Sequence, residues 1–468
     1  MKITILTTIL SILFSTSMSC LANKPAGGYE IKVKVNNLKD DVSYLGYYFG
    51  DKRYIKDTVN VVNGTFTFRG DEKQIGGIYF IYTPNHYFEI VMDEGQNFSI
   101  ETDTVDFIKN MKVTNSKENE LFRDLRIYIG ERHQKASVLS EQMKTAKGTP
   151  REAEIRKQLE SLENEVVTYQ DKLISENPNS FTALVLKSTK RIDIPEAPVG
   201  ANGEQDPDFQ FNYYKTHFFD HVDFTDPRFL RTNFFHNKIM EYMEKLTVPH
   251  PDSISKAAQY LIDKTKDNND MFRYMLVTLT SKYETSEIMG MDKVFVDLAE
   301  KYYLKGRADW ADTSVVNKIK TKVSDIKPNL IGNTAPQLVL YDSLKRPVNV
   351  LGTKSKFKVL FFFDPDCGHC KTTAPKLKGI YKDLQSRGVN VIGVSTDVNL
   401  EAMKDFYKEL SLPWITFADL AGQRKTYNIV STPVIYILDA NNKIIAKKLD
   451  VEQIMGFIDH QISLEKKG

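Results

Sequence analysis

The stretch FFFDPDCGHCK (361–371) ends an apolar run with two cysteines a helical turn apart, in a chain of 468 residues that holds 3 cysteines in all. The third, Cys20, lies in an apolar leader, so no stapling framework of disulfides can be built and the pair needs a local explanation. The run before it, KVLFFFDP (358–365), is continuous rather than alternating, which suits a strand covered on both faces in the middle of a sheet. Cys367 to Arg387 reads as the helix after that strand. A cysteine at its start receives unpaired backbone N–H groups and the positive end of the helix dipole, and His369 can add positive charge nearby. An unperturbed thiol titrates near about 8.5 and supplies little thiolate at neutral pH. The placement therefore favours Cys367 as the nucleophile of disulfide exchange, while Cys370 can attack the mixed disulfide formed on Cys367 and expel the other thiol.

Outward from the pair, VNVIGVS (389–395) reads as a second buried strand, Leu400 to Leu410 as a helix, PVIYILDANNKIIAKKL (433–449) as an antiparallel hairpin around Asn441–Asn442, and Val451 to Leu464 as a last helix. Upstream, QLVLYDSLKRPVNV (337–350) suggests a hairpin, and SDIKPNLIGNTAP (324–336) reads as the linker that opens this domain. Strand, helix, strand, helix, strand, strand, helix is the thioredoxin order. That order, Cys367-Gly368-His369-Cys370 after a buried strand, Pro375 five residues past the second cysteine, and Thr432–Pro433 before the hairpin together resemble the thioredoxin superfamily, specifically its exported TlpA-like and ResA-like thiol-disulfide oxidoreductases. The Gly368–His369 insert is similar to that of protein disulfide isomerases.

This resemblance implies a thiol-disulfide oxidoreductase whose clients are protein thiols and disulfides, served by a redox partner that could itself be membrane-bound, with no cofactor and no metal. It implies a cis Thr432–Pro433 bond that leaves the Thr432 backbone free to pair with an extended client. Pro375, which lacks an N–H, takes a structural role in the first helix. The places where cytoplasmic thioredoxins keep a buried Asp and a Lys are Phe361 and Gly393, which leaves Asp364 and Asp397 as candidate proton carriers; Asp364 is also suited to local turn structure. Asp366 stands where an aromatic residue usually precedes the first cysteine, and an acid there opposes the thiolate. A peroxiredoxin would carry Thr at position 364. The rival functional reading is a non-enzymatic partner-binding protein whose thioredoxin-like domain only docks.

The remaining chain divides by hydrophobic period. From Gly28 to Thr114, YEIKVKV alternates apolar and charged residues, and Asn63–Gly64 and Asp93–Glu94–Gly95 each stand between alternating runs as hairpin signals. An antiparallel β-sandwich over 23–115 is expected. From 116 to 325 the period is helical, with ENELFRDLRIYI and EAEIRKQLESLENEVVTYQDKLI as charged amphipathic helices around a loop near 195–208. The aromatic runs FQFNYYKTHFFDHVDF and RFLRTNFFHNKIMEYMEKL are read as helical core. His217 and His221 share helical spacing, but Phe218 follows where a zinc motif needs Glu, so these and His236 are read as ordinary histidines. The chain is thus expected to be multidomain: leader 1–22, sandwich 23–115, all-α region 116–325, and α/β thioredoxin-like domain 326–468.

Lys plus Arg is 63 and Asp plus Glu 61, a net charge of +2 that offers no field for phosphate backbones, so a nucleic acid partner is not expected. Lys2 followed by the apolar stretch Ile3 to Met18 reads as an export signal. Cys20-Leu21-Ala22 suits cleavage before Asn23 and a soluble periplasmic product; the alternative is a lipoprotein anchored through Cys20.

Overall fold

Alternation of apolar and polar side chains organises the first half of the computed structural model, which describes residues 27–200 and 203–466. The expected leader, its cleavage before Asn23 and the alternative at Cys20 fall outside the described residues. Eight strands come first: β1 (Tyr29–Asn36), β2 (Val42–Phe49), β3 (Lys52–Asn60), β4 (Thr65–Gly70), β5 (Gly77–Tyr82), β6 (Tyr87–Met92), β7 (Asn97–Asp103) and β8 (Lys112–Thr114). They form two sheets, ordered β4-β1-β7-β8 and β3-β2-β5-β6. Their inner faces share one core, with Ile31, Val33 and Phe68 from the first and Leu45, Ile81 and Ile90 from the second.

Two features depart from the sequence reading. Strand β1 runs parallel to β7, while the other pairs of both sheets are antiparallel. Both expected hairpins are crossings between sheets. Asn63 and Gly64 take φ of 50° and 71°, as a tight primed turn requires, yet β3 pairs with β2 and β4 with β1. The loop after Met92 likewise leads from β6 in one sheet to β7 in the other. A turn signal specifies a local reversal; which sheet each strand joins is decided by burying both inner faces.

Three helices complete this unit: α1 (Lys117–Ala146), α2 (Pro150–Glu176) and α3 (Phe181–Thr189). Asn119, 2% exposed, donates to Val91 O at 2.7 Å and accepts from Val91 N at 2.8 Å, so α1 satisfies the backbone of the edge strand β6. The Glu118 carboxylate accepts from the Phe181 and Thr182 amides at 2.9 and 3.1 Å, filling the orphan donors at the start of α3. The unit runs to Arg191 and includes Arg228–Phe235.

The second unit begins with α4 (Phe209–His217), α5 (Phe235–Glu244), α6 (Pro251–Lys264), α7 (Asn269–Glu284), α8 (Asp292–Leu298) and α9 (Thr313–Ile326). Phe218, Phe219 and Phe224 meet edge to face and are buried. His217 bonds to Asp220 at 2.5 Å and His236 to Tyr274 at 2.7 Å.

The C-terminal part holds β9 (Val339–Tyr341), β10 (Pro347–Asn349), β11 (Phe357–Phe363), α10 (Gly368–Ser386), β12 (Val389–Ser395), α11 (Leu400–Glu409), β13 (Ile415–Ala418), α12 (Gln423–Thr426), β14 (Val434–Asp439), β15 (Ile444–Lys447) and α13 (Val451–Glu465). Seven strands make one sheet, β10-β9-β13-β12-β11-β14-β15, with β11 parallel to β12 and antiparallel to β14. Every residue of β11 is buried. Phe361 and Phe363 face a core completed by Leu377, Leu384, Phe406 and Ile458, and Leu360 and Phe362 face a second one with Leu338 and Tyr427. Strand β13 was not anticipated: it is four residues long and only Ala418 in it is buried, so it carries no strand period of its own.

The helices preceding this sheet are joined to it. Met289 packs on the core beside α10, and Lys447, at the end of β15, pairs with Asp292 at the start of α8 and donates to Asn329 O at 2.6 Å. The Lys447 side chain is 5% exposed and that of Asp292 21%. Removing one member of such a pair strands the other charge, at a cost of about 3–5 kcal/mol. Asp292→Ala is therefore expected to lower the stability of the second unit by that amount in denaturant titrations followed by tryptophan fluorescence, and Asp292→Leu with Lys447→Met to regain most of it. Equal destabilisation by the single and double variants would contradict the pairing.

Candidate active site

The site lies where β11 leaves the sheet. Beyond Phe363 the chain turns through Asp364-Pro365-Asp366: Asp364 Oδ1 accepts from the Asp366 amide at 2.9 Å, and the Asp364 carbonyl from the Cys367 amide at 3.1 Å. Cys367, with extended backbone at φ −76° and ψ 118°, is the N-cap residue of α10, and its carbonyl accepts from Lys371 N at 3.1 Å. Cys370 lies in the first turn. One thiol is partly exposed and the other fully buried.

The two sulfurs are pushed in opposite directions. Desolvation raises the Cys367 thiol, but the Cys370 backbone amide, the Cys370 and Thr432 side chains and the His369 amide together outweigh it and leave its pKa below the ordinary value. Burial dominates at Cys370 and pushes its thiol up to about 11. The Cys367 Sγ–H donates to the Thr432 carbonyl at 3.4 Å, which brings the Thr432–Pro433 loop against the nucleophile. The Thr432–Pro433 peptide bond is cis. Gly368 and His369 are exposed, and Pro375 lies inside α10, where its missing N–H leaves the Lys371 carbonyl without the usual helical partner.

Phe361 and Gly393 are paired in register on β11 and β12. A Cβ at Gly393 would lie 2.6 Å from Thr416 Oγ1, so the space beside Phe361 admits no side chain without movement. Acidic groups gather instead at the strand ends, where carboxylate oxygens of Asp364, Asp366 and Asp397 lie within 4.8 Å of one another. Asp364 and Asp397 also hold turns, Asp397 Oδ1 accepting from Asn399 N at 3.0 Å. Their separation along the chain hides this meeting. It arises from the parallel pairing that aligns Phe363 with Ser395.

Residues 331–447, which span the sheet and both cysteines, match the AhpC/TSA family. The C-terminal domain is a thioredoxin-like oxidoreductase domain. Two upstream stretches match domains of unknown function, DUF4369 over 29–122 and DUF5106 over 151–329. The thiol-disulfide oxidoreductase ResA of Bacillus thuringiensis subsp. konkukian is 28% identical over 116 residues, covering 25% of this chain and 67% of that protein. Peroxiredoxin Q of the Sedum lineare chloroplast is 30% identical over 102 residues, 21% of this chain and 54% of that one. Among solved structures, a thioredoxin-like protein from Bacteroides caccae is similar at 19% identity and a TM-score of 0.46, covering 57% of this chain and 99% of its own.

The opposed thiols of the thioredoxin-like domain set a chemical expectation. In reduced protein near neutral pH, iodoacetamide should modify Cys367 at least about tenfold faster than Cys370, because the thiolate is the reacting form and burial holds Cys370 protonated. The Cys367 rate should level off once pH passes its lowered pKa, whereas Cys370 should stay unreactive until pH nears 11. Peptide mapping by mass spectrometry reads both, and comparable labelling of the two would contradict the assignment.

Proposed function

We propose that this protein is an exported thiol-disulfide oxidoreductase that exchanges the Cys367–Cys370 disulfide and dithiol with protein clients. The observation that carries this reading is the pairing of a partly exposed Cys367, its thiol lowered at a helix start, with a fully buried Cys370 one turn on. Toward a client disulfide, the Cys367 thiolate attacks one client sulfur and the other leaves as thiolate. Cys370 then gives up its proton and attacks Cys367 Sγ; the Cys367–Cys370 disulfide forms, the second client thiolate leaves, and the Cys370 proton ends on a client sulfur. The client gains two electrons and the pair loses two, to be restored by a dithiol redox partner. Run in reverse, the same steps oxidise client thiols.

Around this chemistry, Thr432 and Pro433 are assigned to client binding, Gly368 and His369 to tuning the pair, Pro375 to the shape of α10, and Asp364 and Asp397 to proton transfer. The unit of chemistry is taken as 326–468, with the sandwich 23–115 and the helices 116–325 selecting clients. Export to the periplasm is supported by the apolar leader; no helix among the described residues is long and apolar enough to cross a membrane.

Cys370→Ser removes the resolving thiol and should accumulate covalent client adducts, at least about tenfold above Cys367→Ser. Mass spectrometry of the trapped species identifies the client class. Trapping by Cys367→Ser alone would reverse the roles, and a wild type that neither traps nor reduces insulin would favour a partner-binding module. Intact mass of the exported chain should place its amino terminus at Asn23, and a lipid-modified Cys20 would replace the soluble product with an anchored one.

A further inference from the structure

Asn329 lies upstream of the first strand of the thioredoxin-like domain, yet it is 1% exposed and bonded in several directions. Its Nδ2 donates to the Asp325 carbonyl at 3.0 Å, at the end of α9, and to the Thr426 carbonyl at 2.7 Å, at the end of α12. Its own carbonyl accepts from Lys447, the partner of Asp292. Only the amide nitrogen can face two carbonyls, so these contacts fix how the side chain points.

We infer that Asn329 is a positioning residue for the thiol site, holding the base of the loop that presses Thr432 against Cys367. The inference rests on the exchange reading of the cysteine pair. Helix α12 is held at its start from within its own domain, where Asp419 accepts from Gln423 N at 2.7 Å and Arg424 N at 2.6 Å. Its end is held by Asn329. From Thr426 the chain passes the buried Tyr427, whose hydroxyl donates to Pro336 O at 2.5 Å and whose carbonyl accepts from the Tyr436 hydroxyl at 2.9 Å. It then crosses exposed ground, Val430 being 89% exposed, before Thr432 meets the sulfur and β14 begins. Ile429, 8% exposed, returns the chain to the core that holds Tyr427, so only Val430 and Ser431 are exposed, and that short stretch takes its position from the anchored residues on either side. Asn329 therefore links the helical region to the client side of the cysteine.

The full-length protein tests this through the pH dependence of Cys367 alkylation, with thermal midpoints measured alongside. Asn329→Ala, and Asn329→Asp, which sets acceptors against both carbonyls, should each shift the alkylation midpoint by about half a unit or more from the wild-type value as Thr432 moves at the sulfur. Ile331→Ala trims the same junction, where Ile331 packs on the core containing Leu338, and has no polar side-chain atom to bond the Thr426 carbonyl. It should lower the thermal midpoint and leave the alkylation midpoint at the wild-type value. Either Asn329 variant suffices if the other does not fold. If both are unfolded, or if a folded one keeps the wild-type alkylation midpoint or shifts no further than Ile331→Ala, Asn329 is structural and the inference fails. Alkylation needs no client, so a wild type unable to reduce insulin would refute the exchange reading while leaving this outcome readable.

Discussion

The architecture of the second unit turns on the complete burial of β11. With covered faces on both sides and strands paired along both edges, Phe357–Phe363 has no freedom to shift register, because a slip of one residue would exchange its two core faces. The strand must therefore end at a defined point, and the chain beyond it emerges at the end of the sheet, beside β12 and β14. Asp364 shapes that exit through two bonds, one from its carboxylate and one from its carbonyl. The first cysteine is thereby delivered to the start of α10 and the second to its buried first turn.

One turn of helix separates two chemically different thiols. At Cys367 the donors of the helix start prevail over desolvation; at Cys370 desolvation prevails over the donors around it. Phe361 and Gly393 stand in register on β11 and β12 where cytoplasmic thioredoxins keep a buried Asp and a Lys. Thr432, from 65 residues away in sequence, lies against the Cys367 sulfur. The buried Lys447–Asp292 pair and Asn329 tie the helices before the sheet to the end of β15 and the end of α12.

Much of this was legible in the chain. The continuous apolar run of β11, the helix after Cys367 and the hairpin around Asn441–Asn442 each carry a local pattern strong enough to read. So do the strand alternation before Thr114 and the helical period after it. Where local patterns are weak or ambiguous the reading failed: β13 is too short and too exposed to show a period, and Asn63–Gly64 marks a reversal whether or not the two strands pair. Asn119 resembled any polar residue near a helix start, and nothing nearby in sequence marks Val91 as its partner.

By itself the sequence determined the order of the elements, the pair of cysteines and which of them begins a helix, because residue spacing and the short range of hydrogen bonding along a backbone dictate all three. Tertiary structure alone decided the parallel β1–β7 pairing, the meeting of Asp364, Asp366 and Asp397, the burial of Lys447 against Asp292 and the reach of Asn329 to Thr426. Each joins groups far apart in the chain. Such contacts form only when sheets and helices close over a shared core, and the free energy that selects them comes from burial across the whole domain, which no single stretch of residues encodes.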